Sequence, residues 1–415
     1  MKRTFSIFFK INFYLANINA ILLLVGYSLY TSLIFGIADF VDPAEIRSYS
    51  IIYRAVVLLI SVLLILLNFK KKYLKNNGIK VFSLFWLLFS CRIIYDLFIR
   101  SPEISPSNTA YFFQFIFGGV LIPVFALFKS QKYLNLKLIY NSVFIALFFV
   151  VLKGAIINTI FAVINSGGRA QMNSAQSTLT FGSFGDVLTL ISYSKIISKD
   201  SKFRVKILIY LSFLLGLYAV AIAASRGPLF SLVISLLVGV YANNFISLMK
   251  YIVIFLLTGI LFGNSLLNMI EFYFPVIYRR TEATLVEKSL GGRESVFDEA
   301  IIQSLENPFF GDWFILDRSD PSSIAHNTFL QSSMSLGFFG LILNVLLYFI
   351  LFRAAINIIK INSIYSFWGY LSVFYMSYSL TTGGSIYIKP EYNFAFLILL
   401  IISVRNSKLY NDVYH

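Results

Sequence analysis

Charged residues are scarce in this 415-residue chain, and histidine and cysteine are scarcer still. Lys, Arg, Asp and Glu make up 13% of the sequence, against 58% hydrophobic residues, a balance far outside that of soluble domains. The single cysteine, Cys91, excludes a disulfide framework and argues against redox chemistry. The only histidines are His326 and the C-terminal His415. The composition therefore predicts a polytopic membrane protein.

Apolar runs long enough to cross the roughly 30 Å hydrocarbon layer of a bilayer recur along the whole chain. We predict an all-α membrane protein with about twelve transmembrane helices in a single domain, residues 1–415. The first run is too long for a cleaved leader and is expected to remain as a span. The predicted spans are residues 13–36, 50–68, 79–99, 109–128, 138–162, 180–197, 205–224, 228–243, 246–267, 326–352, 361–380 and 391–404.

Basic residues divide unequally between the two sides of this layout. The side with both termini carries 21 of them, mostly lysine, and the positive-inside rule places it in the cytoplasm. The other side carries eleven, of which nine are arginine. Because guanidinium groups bind phosphate and carboxylate oxygens in a bidentate manner, these arginines indicate an anionic ligand outside the membrane. The basic clusters alternate with apolar runs and form no continuous basic face, so nucleic acid is not expected as a partner.

Residues 268–324 form the longest predicted loop, an external segment of 57 residues that is too long for a simple connector. Within it, Phe297, Ile301 and Leu305 recur at spacings of four, and the following Asn-Pro pair ends the pattern. We predict an amphipathic helix that rests on the bundle through this apolar face.

Two Gly-Gly-Arg triplets lie in predicted external loops. Glycines allow neighbouring backbone N–H groups to point at one anion, and the adjacent arginine supplies charge. Two such sites on one side of the membrane suit a diphosphate, although a plain turn explains either triplet equally well. The residues are Gly167, Gly168 and Arg169, and Gly291, Gly292 and Arg293.

Three single residues complete the candidates. Arg226 lies in "AIAASRGPLF", where two spans meet with almost no loop, and a guanidinium there needs a partner, a wet cavity or lipid headgroups. Arg280 is a weaker candidate that lipid headgroups explain as well. His326 begins a predicted span and is either held by the backbone at the helix start or acts in proton transfer. One histidine without regular ligand spacing makes a poor zinc site, so no metal is predicted.

Short motifs in a fixed order carry a resemblance to a known family. "SRG" at a span junction, "GR" opening an external helix, "NPFFG" ending it, and "AHN" followed by "LGFFG" resemble the O-antigen polymerase (Wzy-type) and O-antigen ligase superfamily. The motifs cover about residues 215–345. One departure is that "QSSMSLG" lacks the acidic residue that many ligase-like relatives carry just before the glycine.

The resemblance implies a GT-C-like, inverting glycosyltransferase of the bacterial inner membrane, with no metal or other cofactor and an active site on the periplasmic face. Its donor would be a glycan on undecaprenyl diphosphate and its acceptor a lipid-linked repeat unit. Carried over by motif, Arg226 and Arg293 bind the donor diphosphate and His326 lies near the acceptor hydroxyl. Arg169 matches in loop position and charge. Glu294 and Asp312 are the nearest carboxylates in sequence that could assist His326.

Other functions stay open beside the predicted polymerase of O-antigen or other surface polysaccharide. A ligase would use the same donor and transfer the finished glycan to a lipid core or a protein. A transporter of lipid-linked oligosaccharides would carry charges along a central path, for which Arg92, Asp96, Lys153 and Asp186 are available. The arginines gathered on one face favour the enzyme. Membrane lipids are expected partners, and the resemblance also admits a chain-length regulator.

Overall fold

The protein is helical throughout the part of the chain that the structure, a computed structural model, describes. Those residues are 2–34, 43–69, 77–100, 113–160, 170–171, 177–198, 203–286, 294–316, 324–361, 363–381 and 389–414. The α-helices are α1 (Lys2–Ile21), α2 (Tyr27–Ile34), α3 (Pro43–Leu67), α4 (Asn77–Phe98), α5 (Ile122–Ser130), α6 (Leu136–Ile160), α7 (Thr178–Ile197), α8 (Phe203–Ala223), α9 (Arg226–Asn243), α10 (Phe245–Tyr273), α11 (Pro275–Val286), α12 (Glu294–Glu306), α13 (Thr328–Ile359), α14 (Ser366–Thr381) and α15 (Pro390–Tyr414). Two π-helical segments, Leu22–Gly26 and Phe113–Leu121, join α1 to α2 and precede α5.

Eight helical stretches within the described residues are long and apolar enough to cross a membrane. The prediction of an all-helical, polytopic membrane protein is therefore confirmed, whereas twelve spans and a GT-C-like arrangement remain predictions. The eight stretches are Ile7–Ile34, Ser48–Leu67, Asn77–Phe98, Leu136–Asn158, Val205–Ala223, Arg226–Asn243, Phe245–Tyr273 and Thr328–Ile359.

The described parts of the other four predicted spans are mostly helical but shorter or less apolar, and two of them are deeply buried. In α14, every residue from Ser366 to Ser379 is buried, serines and tyrosines included. In α7, thirteen of the helical residues are buried, among them Asp186. A helix surrounded by other helices meets protein instead of lipid, so its sequence does not need to be uniformly apolar. Length and hydropathy alone therefore do not identify every buried helix of this bundle.

Polar side chains within the helices bond to neighbouring helices. The Asn68 side chain donates to Oδ1 of Asn12 at 2.6 Å, which ties α3 to α1. Ser235 on α9 donates to the carbonyl oxygen of Tyr370 on α14 at 2.7 Å. Such bonds satisfy polar groups where water is absent and fix the relative positions of the helices.

Helix α12 lies within the predicted external segment, but its predicted packing face is wrong. The residues that it buries are Ala300 and Gln303, whereas Ile301 is 43% exposed and Leu305 is 71% exposed. The side chain of Gln303 donates to the carbonyl oxygen of Trp313 at 2.9 Å, which turns the polar side of α12 inward. Periodicity identifies an apolar face, but in a membrane protein lipid can cover that face as well as protein can.

Candidate functional site

The candidate residues that the structure describes lie at one end of the bundle. We call it the loop end, defined as the end at which residues 274–286, 294–316 and 324–327 lie. Helix α8 ends there, α9 begins there at Arg226, and α13 begins there after His326. The side chain of Asn327 donates to the carbonyl oxygen of Leu380 at 3.0 Å, so the end of α14 lies there too.

Arg226 and Arg280 are linked by two hydrogen bonds from their side chains to backbone carbonyl groups. Nη1 of Arg226 donates to the carbonyl oxygen of Arg280 at 2.8 Å, and Nη1 of Arg280 donates to the carbonyl oxygen of Ala224 at 3.3 Å. Both side chains are half-buried. The two bonds fasten α11 to the junction between α8 and α9, so these arginines are held at a fixed position by the backbone.

Arg226 keeps most of its binding capacity in this arrangement. A guanidinium has five N–H donors, and the bond to Arg280 uses one of them. Arg226 takes part in no ion pair with another residue that the structure describes. A half-buried positive charge whose partner is a neutral carbonyl is suited to an anionic ligand.

His326 lies in a backbone conformation that few residues adopt. Its φ is +50°, in the left-handed region, and it is half-buried. The helix start next to it is capped by Asn327, whose Oδ1 accepts hydrogen bonds from the N–H groups of Phe329 and Leu330. The capping role therefore belongs to Asn327. Uncommon backbone conformations of this kind concentrate at functional sites, and the capping of the helix start does not depend on the imidazole.

Six of the predicted site residues lie outside the described residues. They are Gly167, Gly168, Arg169, Gly291, Gly292 and Arg293. Their nearest described neighbours are Ala170, whose N–H donates to the carbonyl oxygen of Ile222 at 3.1 Å, and Glu294, the first residue of α12. The bond from Ala170 brings that point of the chain to the end of α8, four residues before Arg226.

A cavity that the sequence does not predict opens near the junction of α8 and α9. It has a volume of about 370 Å³ and is lined by the first π-helical segment, by α3, by the start of α7 and by residues 389–391. We call it the inner cavity. Ser177 and Thr180 line it, and the Ser225 hydroxyl donates to the carbonyl oxygen of Thr178 at 3.4 Å. The first turn of α7 therefore lies between the inner cavity and the junction that carries Arg226.

The inner cavity contains charged residues that were missed as candidates. Arg54, Lys389 and Glu391 all contribute to its wall. Arg54 and Lys389 belong to the eleven basic residues predicted on the external side, which is the one signal that could have drawn attention to them. They are more than 330 residues apart in the sequence, so no local spacing pattern connects them.

A second group of charges fastens the loop end to α4. Arg92 and Asp96 on α4, Arg100 just after it, and Asp312 form what we call the loop clamp. Nη1 of Arg100 donates to Asp312 at 2.8 Å, and Nη1 of Arg92 lies 3.4 Å from Asp96. The N–H of Phe314 donates to Asp96 at 3.0 Å. Asp312 is therefore paired with Arg100, which argues against its predicted role as an assistant to His326.

Arg92 also donates hydrogen bonds to the backbone of two segments, the turn after α12 and the first part of α13. It donates through Nη2 to the carbonyl oxygens of Phe310 and Gly311 at 2.6 and 2.8 Å, and through Nε to that of Ser335 at 2.8 Å. These carbonyl groups belong to the turn after α12 and to the first part of α13. Arg92 and Asp96, considered above for a transport path, thus have a structural explanation.

No family model and no curated protein matches this chain. The function must therefore be argued from the residues at the loop end, and from the multi-pass helical architecture that holds them.

Proposed function

We propose that the protein is a polymerase of bacterial surface polysaccharide, such as O-antigen, from the O-antigen polymerase and ligase superfamily. It transfers a growing glycan from undecaprenyl diphosphate to a hydroxyl group of a second lipid-linked repeat unit. In this proposal twelve helices span the inner membrane in a GT-C-like arrangement, both termini lie in the cytoplasm, and the loop end faces the periplasm.

The observation that carries the proposal is the position of Arg226. Its guanidinium is half-buried at a helix junction, bonded to a backbone carbonyl and in no ion pair within the described residues. A fixed cation of this kind suits a ligand whose negative charge increases during the reaction, because the site does not need to reorganise as the charge develops. Arg280, bonded to the same junction, adds a second positive charge.

The proposed reaction is a single displacement at the anomeric carbon of the donor glycan. The acceptor hydroxyl oxygen forms the new bond to this carbon as the bond to the diphosphate oxygen breaks, and the configuration is inverted. The leaving diphosphate gains negative charge, which Arg226 stabilises together with Arg280, Arg293 and Arg169. His326 accepts the proton of the acceptor hydroxyl. No metal or cofactor takes part in this scheme, and the two glycine pairs before Arg169 and Arg293 supply backbone N–H groups to the diphosphate.

The test is to incubate the purified protein, reconstituted in lipid, with its lipid-linked repeat unit and without metal or nucleotide sugar. A ladder of glycan lengths on a gel is the expected result. We expect Arg226→Gln to lower the rate by about 100-fold or more, because one stabilising charge is lost from the transition state. The unfolding temperature of the variant in detergent should stay close to that of the wild type, which separates loss of the charge from loss of the fold.

The matched control is Arg353→Gln, an exposed arginine in the second half of α13. This variant should produce the ladder at the normal rate. If Arg226→Gln also produced the ladder at the normal rate, Arg226 would not bind the diphosphate.

If the wild-type protein formed no ladder but transferred one glycan to a lipid core or protein, it would be a ligase. If it only moved the lipid-linked unit across the membrane, it would be a transporter.

His326→Asn separates the imidazole from the backbone conformation of this residue. Asparagine tolerates a positive φ better than most residues, so the local fold should persist while the proton acceptor is lost. We expect the polymerisation rate to fall by about 100-fold, with the affinity for the donor unchanged. The rate is measured from the growth of the ladder over time. Full-length polymer formed at the normal rate would show that His326 has no catalytic role.

A further inference from the structure

The inner cavity has a wall built from unusual backbone. The π-helical segment Leu22–Gly26 forms one side, and Gly119 and Val120 of the other π-helical segment also line it. Tyr53 holds the first segment by donating from its hydroxyl to the carbonyl oxygen of Leu22 at 2.6 Å. π-Helical turns are rare and occur frequently at functional sites. Both π-helical segments that the structure describes border this one cavity.

Lys389 and Glu391, which carry opposite charges, line the inner cavity without forming a short ion pair with each other. Lys389 and Glu391 are both half-buried and both line it. Within the described part of the chain, the two side chains form no ion pair closer than 4.0 Å and no hydrogen bond to another residue. Arg54 supplies a second positive charge from α3. Charged groups at a membrane-protein cavity are costly unless a ligand or water engages them, and they mark substrate sites for that reason.

The rest of the lining limits what the ligand can be. The hydroxyl groups of Ser177 and Thr180 offer hydrogen bonds, and the ring of Phe184 offers an apolar face. A volume of about 370 Å³ is at the small end of ligand sites, which span about 300–1,000 Å³. Two cations suit a carboxylate or a phosphate, whereas the carboxylate of Glu391 is suited to accept hydrogen bonds from sugar hydroxyl groups.

We propose that the inner cavity binds an acidic sugar, a single saccharide unit bearing a carboxylate or phosphate group, within the acceptor repeat unit. Arg54 and Lys389 hold the acidic group and Glu391 accepts from the sugar hydroxyl groups. The proposal rests on the proposed function in that the acceptor is a lipid-linked glycan. The position of the cavity fits this role, because only the first turn of α7 separates it from the junction of Arg226.

The experiment measures binding of simple sugars to the full-length protein in detergent by saturation-transfer NMR. The probes are the methyl glycoside of glucuronic acid, glucose 1-phosphate and the neutral methyl glucoside. We expect the two acidic sugars to bind and the neutral one to bind at least about tenfold more weakly, as expected for the loss of a charge-assisted hydrogen bond. Lys389→Gln should weaken the acidic sugars by about tenfold, and Lys389→Arg should restore them.

The matched control is Lys360→Gln, an exposed lysine just after α13, which should bind like the wild type. Equal binding of acidic and neutral sugars, or wild-type affinity in Lys389→Gln, would overturn the proposal. Arg226→Gln should bind the acidic sugars normally, because it alters the donor site only. Acidic-sugar binding without any polymer ladder would therefore reject the proposed function alone, and a ladder without acidic-sugar binding would reject the cavity proposal alone.

Discussion

Gly337→Ala is expected to destabilise the protein severely. Gly337 interrupts α13 with φ +66° and ψ −155°, a combination that is essentially confined to glycine. A Cβ atom there would lie 2.4 Å from both the carbonyl carbon and the carbonyl oxygen of Phe309. Because these are backbone atoms, no side-chain movement can relieve the clash. Strain of about 1–3 kcal/mol and overpacking of about 1–3 kcal/mol give a loss of roughly 2–6 kcal/mol.

The kink at Gly337 is what allows the turn after α12 to dock into α13. The N–H of Phe338 donates to the carbonyl oxygen of Pro308 at 2.7 Å, and the N–H of Asp312 donates to that of Met334 at 2.7 Å. Gly311 meets the same constraint from the other side, since its φ is +72° and its Cβ would lie 2.4 Å from the carbonyl carbon of Ser335. The two backbones are in direct contact, and neither has room for a methyl group.

Thermal unfolding of the purified protein in detergent measures this effect. We expect Gly337→Ala to unfold at a much lower temperature or to fail to fold. The control is Gly263→Ala in α10, where an added Cβ would meet no atom within 4 Å. That variant should be as stable as the wild type or slightly more so, because alanine favours a helix by about 1 kcal/mol over glycine. Equal unfolding temperatures for the two variants would show that the kink is not required.

Arg92→Ala is expected to have the second-largest effect. Asp96 is fully buried, and Arg92 is one of the two arginines that compensate its charge. Its removal also leaves the carbonyl groups of Phe310, Gly311 and Ser335 without this donor. Breaking a buried ion pair by removing one partner costs about 3–5 kcal/mol. We expect the loop end to detach from α4, and the free energy of unfolding to fall by that amount.

Two further variants distinguish charge from geometry in this result. Arg92→Lys keeps the positive charge but not the planar fork that reaches three carbonyl groups, so it should recover only a minor part of the stability. Arg353→Ala removes an exposed arginine from α13 and should change the free energy of unfolding by less than about 0.5 kcal/mol. The measurement is denaturant-induced unfolding in mixed micelles. Wild-type stability in Arg92→Ala would mean that the loop clamp contributes little.

The sequence predicted the helical membrane architecture because only a few structures satisfy the backbone in lipid. It was less informative wherever a helix meets protein. The sequence predicted the span of α14 but not its burial from Ser366 to Ser379, and Ile301 and Leu305 of α12 face outward although their spacing predicted the reverse. Apolar periodicity predicts which residues avoid water. It does not predict whether protein or lipid covers them.

The candidate site divides in a similar way. Arg226 and His326 could be chosen from the sequence because each is a polar residue at the edge of an apolar run. The loop clamp and the inner cavity could not, because their members are brought together only by the fold. Arg92 and Phe310 are 218 residues apart. The roles of Arg169 and Arg293 remain predictions, since both lie outside the described residues.

The loop clamp also bears on the order in which the protein is assembled. Synthesis proceeds from the N-terminus, so α4 is made long before the carbonyl groups of Phe310 and Gly311 that Arg92 later engages. During that interval Arg92 and Asp96 can form an ion pair, because a spacing of four residues brings opposite charges together on an isolated helix. Neutralisation within α4 lowers the cost of placing it among lipids. The carbonyl groups that are synthesised later then accept hydrogen bonds from Arg92, which is already paired with Asp96.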